Sequence, residues 1–118
     1  MDPAKIENTK KGPERIIQDA IILLLRNRGW WVIETHGNMY QRGLPDLYAT
    51  HARYGGRWIE VKNPGKFCFT PAQLETFPKF TANGTGVWIL GAATESEYEK
   101  LFKPYNWKEY LVLACIRD

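Results

Sequence analysis

The sequence predicts an α/β fold, a mixed β-sheet flanked by helices, in the order helix, three strands, helix, strand, helix. Three observations carry this. Residues 13–28 repeat apolar side chains at helical spacing. Two β-branched and aromatic runs, DLYATH (46–51) and RWIEVK (57–62), flank a glycine-containing turn. A capping signature at Thr70–Gln73 opens a second helical segment, and the apolar run GVWILG (86–91) follows it.

Residues 1–12, polar and carrying Lys5, Lys10 and Lys11, read as a flexible arm, and residues 13–118 as a single domain. In GPERIIQDAIILLLRNRG, Pro13 suits the first helical position. Glu14 and Asp19 lie toward the positive helix end, Arg26 and Arg28 toward the other, and Gly29 is a stop. Ile17, Ala20, Ile21, Leu24 and Leu25 form an apolar stripe, which Glu14 and Gln18 extend toward the N-terminus. The first turn of a buried face is therefore polar.

WWVIETH (30–36) reads as a strand and GNMYQRG as a loop. The short ARYGG link makes DLYATH and RWIEVK an antiparallel hairpin, and NPGKFCF is a turn with an extended approach. Thr70 is an N-cap with Pro71 at the first position and Gln73 three residues after the cap, a capping box; Pro78 kinks or ends that helix. A strand following a helix, GVWILG, runs parallel to one already in the sheet. TESEYEKLF is a short helix capped by Thr94, and the tail NWKEYLVLACIRD fits a helix or an edge strand.

A hydrophobic fraction of 44% with 25% charged residues is ordinary globular composition and excludes general disorder. No apolar run reaches membrane-spanning length and the N-terminus lacks an apolar signal region, so the expectation is a cytoplasmic protein, in the host cytoplasm if phage-encoded, with no membrane partner. Cys68 and Cys115 lack metal-ligand spacing and read as reduced packing residues. The net charge of +3 suits phosphate contacts and equally a solvated basic face.

The chemistry concentrates at residues 43–66. Strand alternation points Glu60 and Lys62 one way and Ile59 and Val61 the other. Pro45 directs the chain into Asp46, and the hairpin brings Asp46 beside the Glu60–Lys62 end of the next strand. Two carboxylates at ~4 Å repel by roughly 4 kcal/mol at an effective dielectric of about 20, so a proton or a cation must bridge them. Oxygen ligands of this kind suit Mg²⁺ or Mn²⁺, with the Val61 carbonyl as a third donor. Lys62 then serves the attacking water or the charge that develops on a phosphate. Taken singly, G-x-P-D is also turn chemistry and E-x-K also a solvated strand face. Their combination on neighbouring strands is the signal.

With Pro45-Asp46 and Glu60-Val61-Lys62, the chain resembles the PD-(D/E)xK nuclease superfamily. The blocks ERIIQ, RGLPDLY, WIEVKNPGK and FTPAQLETF, over residues 13–80, resemble a stand-alone VRR-NUC domain of phages and bacteria. That resemblance implies a restriction-endonuclease-like αβββαβ core, a divalent-metal site and DNA phosphodiesterase activity. It implies Asp46 and Glu60 as metal-binding acids, Lys62 as catalytic lysine and Glu14 as the helix-one acid that reaches the metal. Gln18 is a second candidate one turn along and a candidate nucleic-acid contact, and Gln73 is the helix-two glutamine that supports the site, a place its capping role also explains. Residues 92–118 lie outside the resemblance.

Arg42, Lys66 and Lys79 are candidate phosphate contacts, with His36 and Tyr40 behind them; His51 ends a strand without evident chemistry. Trp58, Trp88 and one of Trp30 and Trp31 belong in the core, which exposes the other of that pair and points to a covered face, under a second subunit rather than a stacked base. The functional expectation is a Mg²⁺- or Mn²⁺-dependent, structure-selective DNA endonuclease, working as a homodimer on four-way junctions. The alternatives are a nickase or restriction-type nuclease on linear duplex, a non-catalytic nucleic-acid binding module, and an interaction domain with a salt-bridged hairpin.

Overall fold

Pro13 opens helix α1 (Pro13–Asn27), which ends where Gly29 takes φ +88° and the Trp30 amide bonds back to the Leu25 carbonyl. The structure, a computed structural model, describes residues 12–35 and 42–116; of the arm expected over 1–12 only Gly12 is described, as the residue that caps α1, and the rest of it and the candidates His36 and Tyr40 lie outside the described residues. On α1 the buried line runs through Ile21, Ile22 and Leu25, with Ile17 and Leu24 partly buried. Ala20, expected in that stripe, is exposed, and Ile22 is buried in its stead. At 100° per residue the line through Gln18, Ile21 and Leu25 faces the sheet, and of the expected stripe Ala20 falls furthest round from it.

Four strands form the main sheet in the order β1 (Trp31–Glu34), β2 (Leu47–His51), β3 (Gly55–Val61), β5 (Val87–Leu90). β1–β2 and β2–β3 are antiparallel and β3–β5 is parallel, with Leu47 opposite Ile59 and Glu60 opposite Ile89. The sheet is thus mixed, as the sequence order requires. One face carries Val32, Leu47, Ala49, Ile59, Val61 and Leu90 against α1; the other packs Trp58, Val87 and Ile89 against Phe77 and Trp107.

Between β3 and β5 the chain forms the short strand β4 (Cys68–Phe69) and helix α2 (Pro71–Ala82). Thr70 and Gln73 make the capping box. Pro78 lies inside α2 and the helix continues past it; Pro78 is on the exposed side and leaves the Leu74 carbonyl without a helical N–H. Helix α3 (Glu95–Glu99) is capped by Thr94 and continues as a 3₁₀ turn, Lys100–Phe102.

The tail resolves into both of its possible forms: helix α4 (Trp107–Leu113), then strand β6 (Cys115–Ile116) parallel to β4, with Cys68 and Cys115 as backbone partners. It also closes the free edge of β5. The Ile89 amide donates to Asn106 Oδ1 at 2.6 Å and Asn106 Nδ2 donates to the Ile89 carbonyl at 3.0 Å. One buried side chain thereby replaces a neighbouring strand. No helix among the described residues is long and apolar enough to cross a membrane.

Candidate active site

The strand geometry that sends Ile59 and Val61 into the α1 side sends Glu60 and Lys62 to the opposite face, under the first turn of α2. Glu60 is 2% exposed and Lys62 5%. A charge pair so deeply buried must be hydrogen-bonded throughout. Lys62 Nζ reaches Glu60 Oε2 at 3.1 Å, Gln73 Oε1 at 3.0 Å and the Cys68 carbonyl at 2.8 Å, which uses all three N–H bonds of the ammonium. The Phe69 ring lies 5.0 Å from the same nitrogen.

Gln73 joins the cap to this cluster. Its Oε1 accepts from the Thr70 amide at 3.1 Å as well as from Lys62, and its Nε2 donates to Glu60 Oε2 at 2.9 Å. The two explanations open for this residue, helix cap and support for the acid, are two ends of one amide.

Asp46 stands just before β2. Its amide donates to Glu60 Oε1 at 3.2 Å and its Oδ2 accepts from the Val61 amide at 2.8 Å. A strand residue turns its N–H and C=O to the same edge, so the Val61 carbonyl shares the edge that faces Asp46. Thr35, just after β1, holds the turn that precedes β2: its amide donates to the Asp46 carbonyl at 2.9 Å and its hydroxyl to the Pro45 carbonyl.

Glu14, in the first turn of α1, completes the group. Glu14, Asp46 and Glu60 each offer a carboxylate oxygen, and these oxygens lie within 4.8 Å of one another. They line a cleft of about 320 Å³ with Lys62, Lys66, Cys68, Thr70 and Gln73. Burial, and then the Asp46 charge, push Glu60 up to about 8. Asp46 is raised by burial, and Glu14 by burial and by Asp46. All three shifts have one sign: the cluster holds more negative charge than its surroundings accommodate.

Three ionised carboxylates against one ammonium leave two negative charges, which a divalent cation balances and which otherwise attract protons. The all-oxygen donor set fits Mg²⁺ or Mn²⁺ better than softer metals.

The other candidates fall around the cleft. Lys66 lines it, and Arg42 lines an adjoining cavity with Gly43, Thr70, Pro71, Ala72 and Gln73. Lys79 pairs with Glu75 at 3.1 Å on the exposed side of α2. Gln18 donates to Glu34 at 3.3 Å beside the Arg15–Glu34 pair and is not among the residues that line the acidic cleft. His51 packs on Trp30 and Tyr54 at the far end of β2.

Sequence reasoning missed Thr35 and the Cys68 carbonyl. Thr35 is a polar strand end facing the Pro45–Asp46 turn, a signal legible once the hairpin partner is known. A backbone carbonyl leaves no residue-type signal at all.

No family model and no curated protein matches the chain. A solved structure titled VRR_NUC domain is similar, with a TM-score of 0.62 at 22% identity over 78% of this chain and 97% of that one. At that identity the likeness speaks for architecture: the chain has the fold of a VRR_NUC domain, the one its four sequence blocks resemble.

Proposed function

We propose that the chain is a divalent-cation-dependent DNA endonuclease that hydrolyses phosphodiester bonds. The observation that carries this is the meeting of the Glu14, Asp46 and Glu60 carboxylates within 4.8 Å beside buried Lys62. The VRR_NUC fold supports it as an analogy of architecture.

Glu14, Asp46, Glu60 and the Val61 carbonyl are the groups to hold Mg²⁺ or Mn²⁺. When bound, the cation polarises the phosphate and lowers the pKa of a water. Gln73 keeps Glu60 aimed into the cleft through its 2.9 Å hydrogen bond. Lys62, with every N–H engaged, acts as a fixed positive charge beside the charge that develops on the phosphate; as a base it would first have to give up a partner. Lys66 and Arg42, at the cleft and next to it, are placed to meet neighbouring phosphates, with Lys79 and Gln18 further out.

A structure-selective substrate such as a four-way junction suits a chain whose described residues form one such acidic cluster, since paired incision needs two copies. The edge strand β1 supports a homodimer: Trp31 is 66% and Ile33 41% exposed on one face of it.

Cleavage of matched linear, flap and four-way DNA, with Mg²⁺, Mn²⁺ or EDTA, tests the reading. Cation-dependent cutting that favours the four-way substrate is expected, and Glu60→Ala and Lys62→Ala should lose cleavage while keeping DNA affinity. Equal cutting of linear duplex removes the junction preference and favours a nickase or restriction-type enzyme. DNA binding without cleavage of any substrate makes the chain a binding module.

A further inference from the structure

Gly43 lies three residues before Asp46 and has φ +84°. A Cβ there would stand 2.5 Å from the Ala72 carbonyl oxygen and 2.5 Å from Thr76 Oγ1. Both belong to α2, the helix from which Gln73 reaches Glu60. The backbone leading to Asp46 therefore rests directly on the helix that supports Glu60.

We infer that Gly43 is a positioning residue: its missing side chain lets the turn carrying Asp46 seat on α2, which fixes Asp46 against Glu60. The inference rests on the cation-site reading above and names a residue that reading does not use. The link from Gly43 to Asp46 is short and stiff. Buried Pro45 has a locked φ, and Thr35 grips the Pro45 and Asp46 carbonyls from the opposite side. The turn is thus clamped between β1 and α2. Ordinary contact at a Cβ begins near 3.4 Å, so a methyl at position 43 must lift the turn or push the helix by about 1 Å; the Thr76 hydroxyl can turn aside, but the Ala72 carbonyl is helix backbone and cannot. Either movement opens the Asp46–Glu60 spacing.

Two other glycines separate this effect from backbone strain. Gly55 and Gly84 have φ of +80° and +82°, and a Cβ on either meets nothing within 4 Å. Gly55→Ala and Gly84→Ala carry the conformational cost of a positive φ without the collision.

The experiment compares Gly43→Ala with these two in the full chain by three readouts. These are Mn²⁺ affinity by calorimetry, kcat and KM for DNA, and hydrogen exchange at the Val61 amide, which donates to Asp46 Oδ2. Only Gly43→Ala is expected to weaken Mn²⁺ binding by about tenfold and lower kcat by roughly 10²-fold, the scale of a ~1 Å misplacement, with KM near wild type. Val61 exchange should quicken in that variant alone. If Gly43→Ala does not fold, Thr76→Leu presses on the same contact from the helix side without strain at residue 43 and should act alike.

Mn²⁺ affinity, kcat and Val61 exchange that match those of the control variants overturn the inference. If the wild type takes up no Mn²⁺, the cation reading falls by itself, and Val61 exchange alone then decides whether Gly43 positions Asp46.

Discussion

Replacing Asp46 by Asn should make the metal-free protein more stable while abolishing its response to divalent cations. The structure gives both signs. Asn keeps an acceptor for the Val61 amide, 2.8 Å from Oδ2, and offers its NH₂ to the carboxylates of Glu14 and Glu60. Two charges 4.8 Å apart repel by about 3 kcal/mol at an effective dielectric of about 20. Part of that is already relieved by proton uptake at Glu60, and part is offset by the lost attraction between Asp46 and Lys62. A net gain of about 1–2 kcal/mol remains at pH 8, or roughly 4–8 °C in Tm for a domain of this size. The assay is thermal unfolding in EDTA and in saturating Mn²⁺. Wild type should rise on adding Mn²⁺, by roughly 2–3 kcal/mol at a hundredfold excess over Kd, and Asp46→Asn should not. An Asp46→Asn protein less stable than wild type in EDTA at pH 8, or one that gains as much from Mn²⁺, refutes the electrostatic argument.

The same cluster predicts a pH dependence. Glu60 has its folded pKa raised from 4.5 to about 8, first by burial, so between those values the folded state binds more protons than the unfolded one. This contribution to stability is full below pH about 4.5 and is lost as pH rises through about 8. Tm in EDTA should therefore fall between pH 5.5 and 8 and flatten in saturating Mn²⁺; a flat or rising EDTA curve contradicts it. At the far edge of the sheet, Asn106→Ala leaves the Ile89 amide and carbonyl without partners, and chemical denaturation should show a loss of roughly 2–4 kcal/mol. A loss under about 0.5 kcal/mol, the range of an ordinary surface substitution, would mean that Asn106 does not close that edge. Trp31→Glu places a charge on the exposed β1 face and should convert a dimer to a monomer in sedimentation; an unchanged mass shows that this face is not the interface.

Local chemistry made much of this legible in the sequence. The capping box at Thr70–Gln73, the hairpin and the parallel return of β5 depend on spacing along the chain, and each is present. Strand alternation was enough to put Glu60 and Lys62 on one face, and hairpin pairing to bring Asp46 to them. What escaped depends on contacts between distant segments. The rotation of α1 that buries Ile22 and exposes Ala20 follows from how the helix sits on the sheet. The tail could not be read because α4 and β6 gain their form from partners far away in sequence, Phe77 and β4. The Cys68 carbonyl that holds Lys62 was invisible for a simpler reason: any residue there would supply it.

The proposed cation site draws its acids from three separate segments, α1, the turn before β2, and β3. A crystal soaked in Mn²⁺ and measured at the manganese absorption edge tests it most directly. An anomalous peak is expected between the carboxylates of Glu14, Asp46 and Glu60, on the side of the Val61 carbonyl, and none in Asp46→Asn. Wild-type crystals with no peak there, or with manganese held elsewhere on the chain, would contradict it.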